Sequence, residues 1–190
     1  MLFRSHDRVL VTPAPGIPGR LPFWKGDSLG RPAELGEAVG AYTRELAALP
    51  AKKAEARAQE DGLDAYAAAN LVTYLHEQAE ATNVLPSDSN IVVERFRDEL
   101  GDWRLVVHSP YGRPVHAPWA LAINARIRER YGVDGQAIDS DDGIVIRLPD
   151  TDAEAPTGEI IVFEPDEIED LVTTEVGGSA LFARDRKSVV

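Results

Sequence analysis

The chain has 190 residues, 44% of them hydrophobic and 27% charged, and its 20 Lys+Arg against 32 Asp+Glu give a formal net charge of −12. That length fits one globular domain or two small ones, burying roughly 70% of the unfolded surface without help from disulfides or structural metal. There is no cysteine, which excludes thiolate zinc sites, and no window approaches the roughly 18 uninterrupted apolar residues of a membrane span. The opening MLFRSHDRVLV lacks a signal-peptide apolar stretch, so a soluble, cytoplasmic protein without membrane contact is expected.

The charge is graded along the chain. Residues 1–58 hold 9 basic and 6 acidic side chains (net +3), 59–133 hold 7 and 11 (net −4), and 134–190 hold 4 and 15 (net −11). Neutralising phosphates releases counterions, so a nucleic-acid contact belongs in the first two stretches. The last stretch suits water or a basic partner.

In chain order, RVLVT at 8–12 has the β-branched run of a strand, and PAPGIPGRLPFW after it holds four prolines and two glycines, which predicts an extended loop. From Pro32 the apolar residues Leu35, Val39, Tyr42, Leu46 and Leu49 recur every three or four positions, the stripe of an amphipathic helix ended by Pro50. A second helix spans 51–60, and a third starts at the N-cap Asp64 and runs to about Thr82 with Ala68, Leu71, Leu75 and Ala79 on one side. IVVERF (91–96) and WRLVVH (103–108) read as a hairpin linked through Gly101 and Asp102. A helix is predicted from about Pro118 to Tyr131, then strands at 143–148 and 159–164, then a helix opened by a capping-box-like pair, Asp166 and Glu169. Runs of helices and hairpins without regular βαβ alternation give the α+β class.

Absent motifs narrow the chemistry. There is no G-x-x-x-x-G-K-[ST] phosphate loop, no acidic box of the D-E-x-H type and no G-x-G-x-x-G, so no route to ATP hydrolysis by this chain alone is visible. The four histidines form no H-E-x-x-H pair, and DSDDG at 139–143 departs from calcium-loop spacing; it reads as a solvated turn, and neither a metal site nor a catalytic residue is expected.

Two stretches carry binding chemistry. In GRLPFWKGD, Arg20 and Lys25 bracket Phe23 and Trp24 on a proline-stiffened loop, an arrangement that stacks an unpaired base and holds its phosphates, or else plugs the core. In HSPYGRPVHAPW (108–119), His108, Tyr111, Arg113 and His116 crowd a proline-rich connection, followed by Arg126 and Arg130 four apart on one helix face. The alternative there is a rigid connector with surface arginines.

These stretches, with LGEAVGAYTREL and DDGIVIRLPD, closely resemble the DEAD/H-associated region that follows the motor domains in Lhr-type (large helicase-related) ATP-dependent helicases, over residues 7 to about 183. The resemblance is nearest to actinobacterial members. It implies a parent superfamily-2 translocase that moves 3′ to 5′ on single-stranded DNA, unwinds RNA:DNA hybrids and takes part in DNA repair. ATP and Mg would then belong to the parent's motor domains, with no cofactor in this chain, and this region with a winged-helix domain would help clamp the tracking strand. The implied division is the end of a β-module with its Pro-rich loop at 1–30, the accessory domain at 31–183 and an atypical tail, RDRKSVV, at 184–190. The tail and the missing motor motifs imply a fragment, whose first strand needs a partner.

On this reading Trp24 is the base-stacking residue, Arg20 and Lys25 hold adjacent phosphates, and the partners are single-stranded DNA or an RNA:DNA hybrid together with the motor and winged-helix domains. The alternatives are a docking module acting through its acidic C-terminal third, and a non-functional gene fragment. Base excision requires an acidic residue in a base-sized pocket, for which the sequence supplies no candidate.

Overall fold

The computed structural model describes residues 29–133, 135–149 and 156–178, together with two short antiparallel strands, Phe3–Arg4 (β1) and Val9–Leu10 (β2). The strand expected at 8–12 thus finds a partner within the chain. The loop bearing Arg20, Phe23, Trp24 and Lys25, and the tail at 184–190, lie outside the described residues.

Three helices come next: α1 (Ala33–Ala48), α2 (Ala51–Glu60) and α3 (Ala65–Thr82). Pro32 and Pro50 each precede a first helical turn, where a missing N–H costs nothing. Asp64 caps α3, its Oδ1 accepting from the Ala67 amide at 2.8 Å, and Asn83 at φ 61° ends it. Their shared core is Leu46, Ala54, Val72 and Leu75, with Tyr42, Leu49, Leu71 and Leu85 packed around it.

The stripe predicted on α1 is only half inward, because Leu35 and Val39 are exposed. Two glycines take the inward positions instead. A Cβ on Gly36 would stand 2.2 Å from the Pro110 carbonyl oxygen, and one on Gly40 would stand 2.3 Å from the Asp88 amide nitrogen. Apolar periodicity cannot register a helix that packs directly on backbone.

The second layer is a four-stranded antiparallel sheet in the order β3-β4-β6-β5, from Val92–Arg97 (β3), Trp103–His108 (β4), Gln136–Ser140 (β5) and Gly143–Leu148 (β6). The first hairpin lies where the sequence placed it, closed by Asp98, whose Oδ1 accepts from the amides of Leu100 and Asp102 at 2.9 and 3.0 Å. The second differs: β6 pairs with β5 rather than with 159–164, and Gly158–Ile161 forms a 3₁₀ turn. QAIDS has little strand composition, while Ile160 and Ile161 are apolar because they are buried, and a short apolar run does not reveal its backbone.

Helix α4 (Arg113–Tyr131) lies on one face of this sheet. It begins five residues before the expected Pro118, since the amides of Val115 and His116 already bond the Gly112 carbonyl at 3.1 Å. Pro114, at the second helical position, costs no bond, whereas Pro118 lies inside the helix and leaves the Pro114 carbonyl without its helical N–H. The core beneath it joins Leu105, Val107, Ile123, Ile127, Ile144, Ile146 and Ile160. Helix α5 (Pro165–Gly178) packs on α4. Its reach-back cap sits two residues upstream of the predicted pair: the Glu164 amide donates to Glu167 Oε2 at 3.3 Å. The molecule is α+β, and no described helix is long and apolar enough to cross a membrane.

Candidate nucleic-acid interface

The run 108–119 forms the junction between the helical layer and the sheet. Gly112, at φ 86°, lets the chain pass so close to Arg31 that a Cβ would lie 2.0 Å from the Arg31 carbonyl oxygen. After this turn the α4 N-terminus meets the β5–β6 hairpin. Asp141, at the hairpin tip, accepts from the Arg31 amide at 2.8 Å and the Arg113 amide at 2.9 Å. These two amides hold the Asp141 carboxyl below the usual carboxylate range, with the Arg31 charge adding to the effect against desolvation.

Each residue singled out in this run has a partner inside the chain. His116 is fully buried, with Nδ1 2.7 Å from the Ser140 carbonyl oxygen and Nε2 2.8 Å from Ser109 Oγ. A carbonyl can only accept, so Nδ1 carries a proton, and Nε2 shares a hydrogen bond with the serine hydroxyl. Arg113 Nε donates to Asp139 Oδ2 at 2.6 Å, and Tyr111 donates its hydroxyl proton to the Asp88 carbonyl at 2.6 Å. Asp88 in turn holds Arg44 at 2.8 and 2.7 Å, a pairing that lowers the Asp88 pKa. His108 is the more open member, 3.1 Å from Glu94 and beside a cleft of about 330 Å³ between the two layers, which Arg31, Tyr74 and Gln78 also line.

The helix-borne arginines face the acidic end of the chain. Arg126 lies over the Phe163 ring at 3.5 Å, bonds the Val162 carbonyl and pairs with Glu167 at 2.5 Å, a bond that lowers the Glu167 pKa. Arg130, on the same face, is 4.0 Å from Glu159 and more open. The structure therefore brings His108, Tyr111, Arg113 and His116 into one junction and places Arg126 and Arg130 elsewhere, against α5 and the 3₁₀ turn.

Sequence reasoning missed Arg31, Asp139 and Asp141. DSDDG does form a turn, as expected, but its carboxylates are joined to Arg31 and Arg113, more than 20 residues away in sequence. The available signal was the acidic turn itself, which needed a positive or N–H-rich partner somewhere in the fold. Among the described residues, every arginine from Arg31 to Arg147 is engaged with a carboxylate or carbonyl of the chain. None of the described His, Asp and Glu residues forms a group that would hold a metal ion.

A family model described as DEAD/H associated matches residues 85–189. The chain is 62% identical over 179 residues to the Lhr helicase/probable uracil glycosylase of Mycolicibacterium smegmatis, covering 94% of this chain and 12% of that protein. It is 46% identical over 186 residues to the Lhr helicase/uracil glycosylase of Escherichia coli, with the same two coverages. Among solved structures, Mycobacterium smegmatis helicase Lhr bound to ssDNA and AMP-PNP superposes with a TM-score of 0.78 at 60% identity, over 90% of this chain and 22% of that one. The chain thus spans about an eighth of the length of these curated relatives. It belongs to the DEAD/H-associated family, in the form that this region takes in Lhr-type helicases.

Proposed function

We propose that this chain is a non-catalytic accessory module of an Lhr-type ATP-dependent 3′-5′ helicase, contacting single-stranded nucleic acid beside the motor domains. The observation that carries the reading is the likeness, at 60% identity over 90% of the chain, to an Lhr helicase bound to ssDNA. ATP and Mg belong to the motor domains of the larger protein, whose work on RNA:DNA hybrids and in DNA repair this module serves.

Within the module, contact falls to the loop with Trp24, Phe23, Arg20 and Lys25. The commitments of the described arginines support this placement, because an arginine already paired with a carboxylate must give up that pair to take a phosphate. Tyr111, Arg113 and His116 act as scaffold, fixing the junction between the two layers, while His108 is the more accessible polar group there and Arg130, against the 3₁₀ turn, is likewise open. Stacking on Trp24 accounts for about 1–3 kcal/mol per base.

The test is Trp24→Ala in an Lhr-type protein carrying this region. Single-strand affinity is expected to fall roughly 5- to 150-fold, with the salt slope kept because phosphate contacts remain. An unchanged affinity removes the stacking role.

A further inference from the structure

The two faces of the sheet differ in kind. On one, Leu105, Val107, Ile144 and Ile146 lie under α4. On the other, the register sets Glu94, Val106, Val145 and Ile138 side by side across all four strands. The next row on the same face is Phe96, Arg104, Arg147 and Gln136. Of the apolar members, Ile138 is 64% exposed, Phe96 49% and Val145 40%. A sheet that shields one face normally turns polar side chains outward on the other, so an aromatic and three β-branched residues in contiguous positions form an interaction patch.

We propose that this face docks a protein surface, namely an apolar, near-neutral surface of another domain of the Lhr-type protein in which the region sits. The charges of the face select this occupant. Each arginine of the face already has a carboxylate within the chain, Arg104 pairing with Asp98 at 2.8 Å and Arg147 with Asp102 at 2.6 Å, and the His108 ring is 3.1 Å from Glu94. A nucleic-acid backbone gains its affinity from unneutralised cations, and this face has already spent its cations on neighbouring carboxylates. An apolar protein surface instead gains from burying Phe96, Val106, Val145 and Ile138 and leaves the peripheral ion pairs in water as a polar rim. The solved Lhr chain has more than three quarters of its length outside this region, chain enough for a further domain to meet this face. The inference rests on the accessory reading for the presence of a larger protein, though not on strand contact through Trp24.

The test is hydroxyl-radical footprinting of Phe96 and Ile138, in the 190-residue chain alone and in an intact Lhr-type protein carrying this sequence. Labelling of both is expected to drop several-fold in the intact protein without DNA. The double variant Ile138→Lys, Val145→Lys, at exposed positions and checked for folding by circular dichroism, should restore Phe96 labelling there. Equal labelling in the two contexts overturns the proposal. So does protection that appears only when a single-stranded oligonucleotide is added, or protection that grows with the concentration of the isolated chain, which would mean nucleic acid or a second copy as occupant. If Trp24→Ala leaves strand affinity unchanged while Phe96 stays protected, the stacking role of Trp24 fails and the docking face stands.

Discussion

At the scale of single residues, the junction is built from side chains whose importance depends on position rather than type. His116 looked like a binding residue because imidazoles beside prolines, Tyr and Arg are typical of ligand loops. In the fold it is a buried crosspiece that uses both ring nitrogens, on Ser140 and Ser109. Asp141 was legible only as part of a turn, yet its carboxylate receives two backbone amides. Those amides depress its folded pKa below the unfolded one, so its stabilisation is full above the unfolded value and fades as pH falls through the folded one. Asp141→Asn is therefore expected to lower the urea midpoint at neutral pH, with the gap to wild type closing below about pH 4. A gap that widens on acidification would contradict this account of the junction.

At the scale of elements, local signals succeeded where they were chemically strong. Asp64 and the two prolines delimit α1 to α3, and the strand-like runs at 103–108 and 143–148 mark β4 and β6, whose burial alternates along the strand. The failures share a cause, since β5 is recognisable only by the partner it finds and the 159–164 run is apolar only because tertiary burial requires it. Alternation also yields a direct check. Ile146 is fully buried and Val145 points to the open face, so Ile146→Ala should cost about 2–5 kcal/mol in urea unfolding of the chain. Val145→Ala should cost below about 1 kcal/mol. Comparable losses at both positions would mean that the open face is covered within the chain itself.

At the scale of the whole molecule, a net charge of −12 argues against a nucleic-acid binder, whereas the gradient behind it leaves a basic first third. Family membership was legible from long stretches, DRVLVTPAPGIPGRLPFWKGD and VVHSPYGRPVHAPWALA above all, because a whole module's packing and turn residues are far more specific than any short motif. The internal commitment of the arginines was not legible, since it depends on which carboxylates the fold brings alongside them. That commitment concentrates the proposed strand contact on the loop around Trp24. The most direct measurement is fluorescence anisotropy of labelled single-stranded DNA titrated with the folded 190-residue chain, wild type and Trp24→Ala, at low and moderate salt. Saturable binding that weakens with salt and weakens further in Trp24→Ala is the predicted result. Folded wild-type and variant chains that bind alike would contradict the stacking role of Trp24, and a folded chain that fails to bind would contradict the claim that this module carries its own part of the strand-binding site.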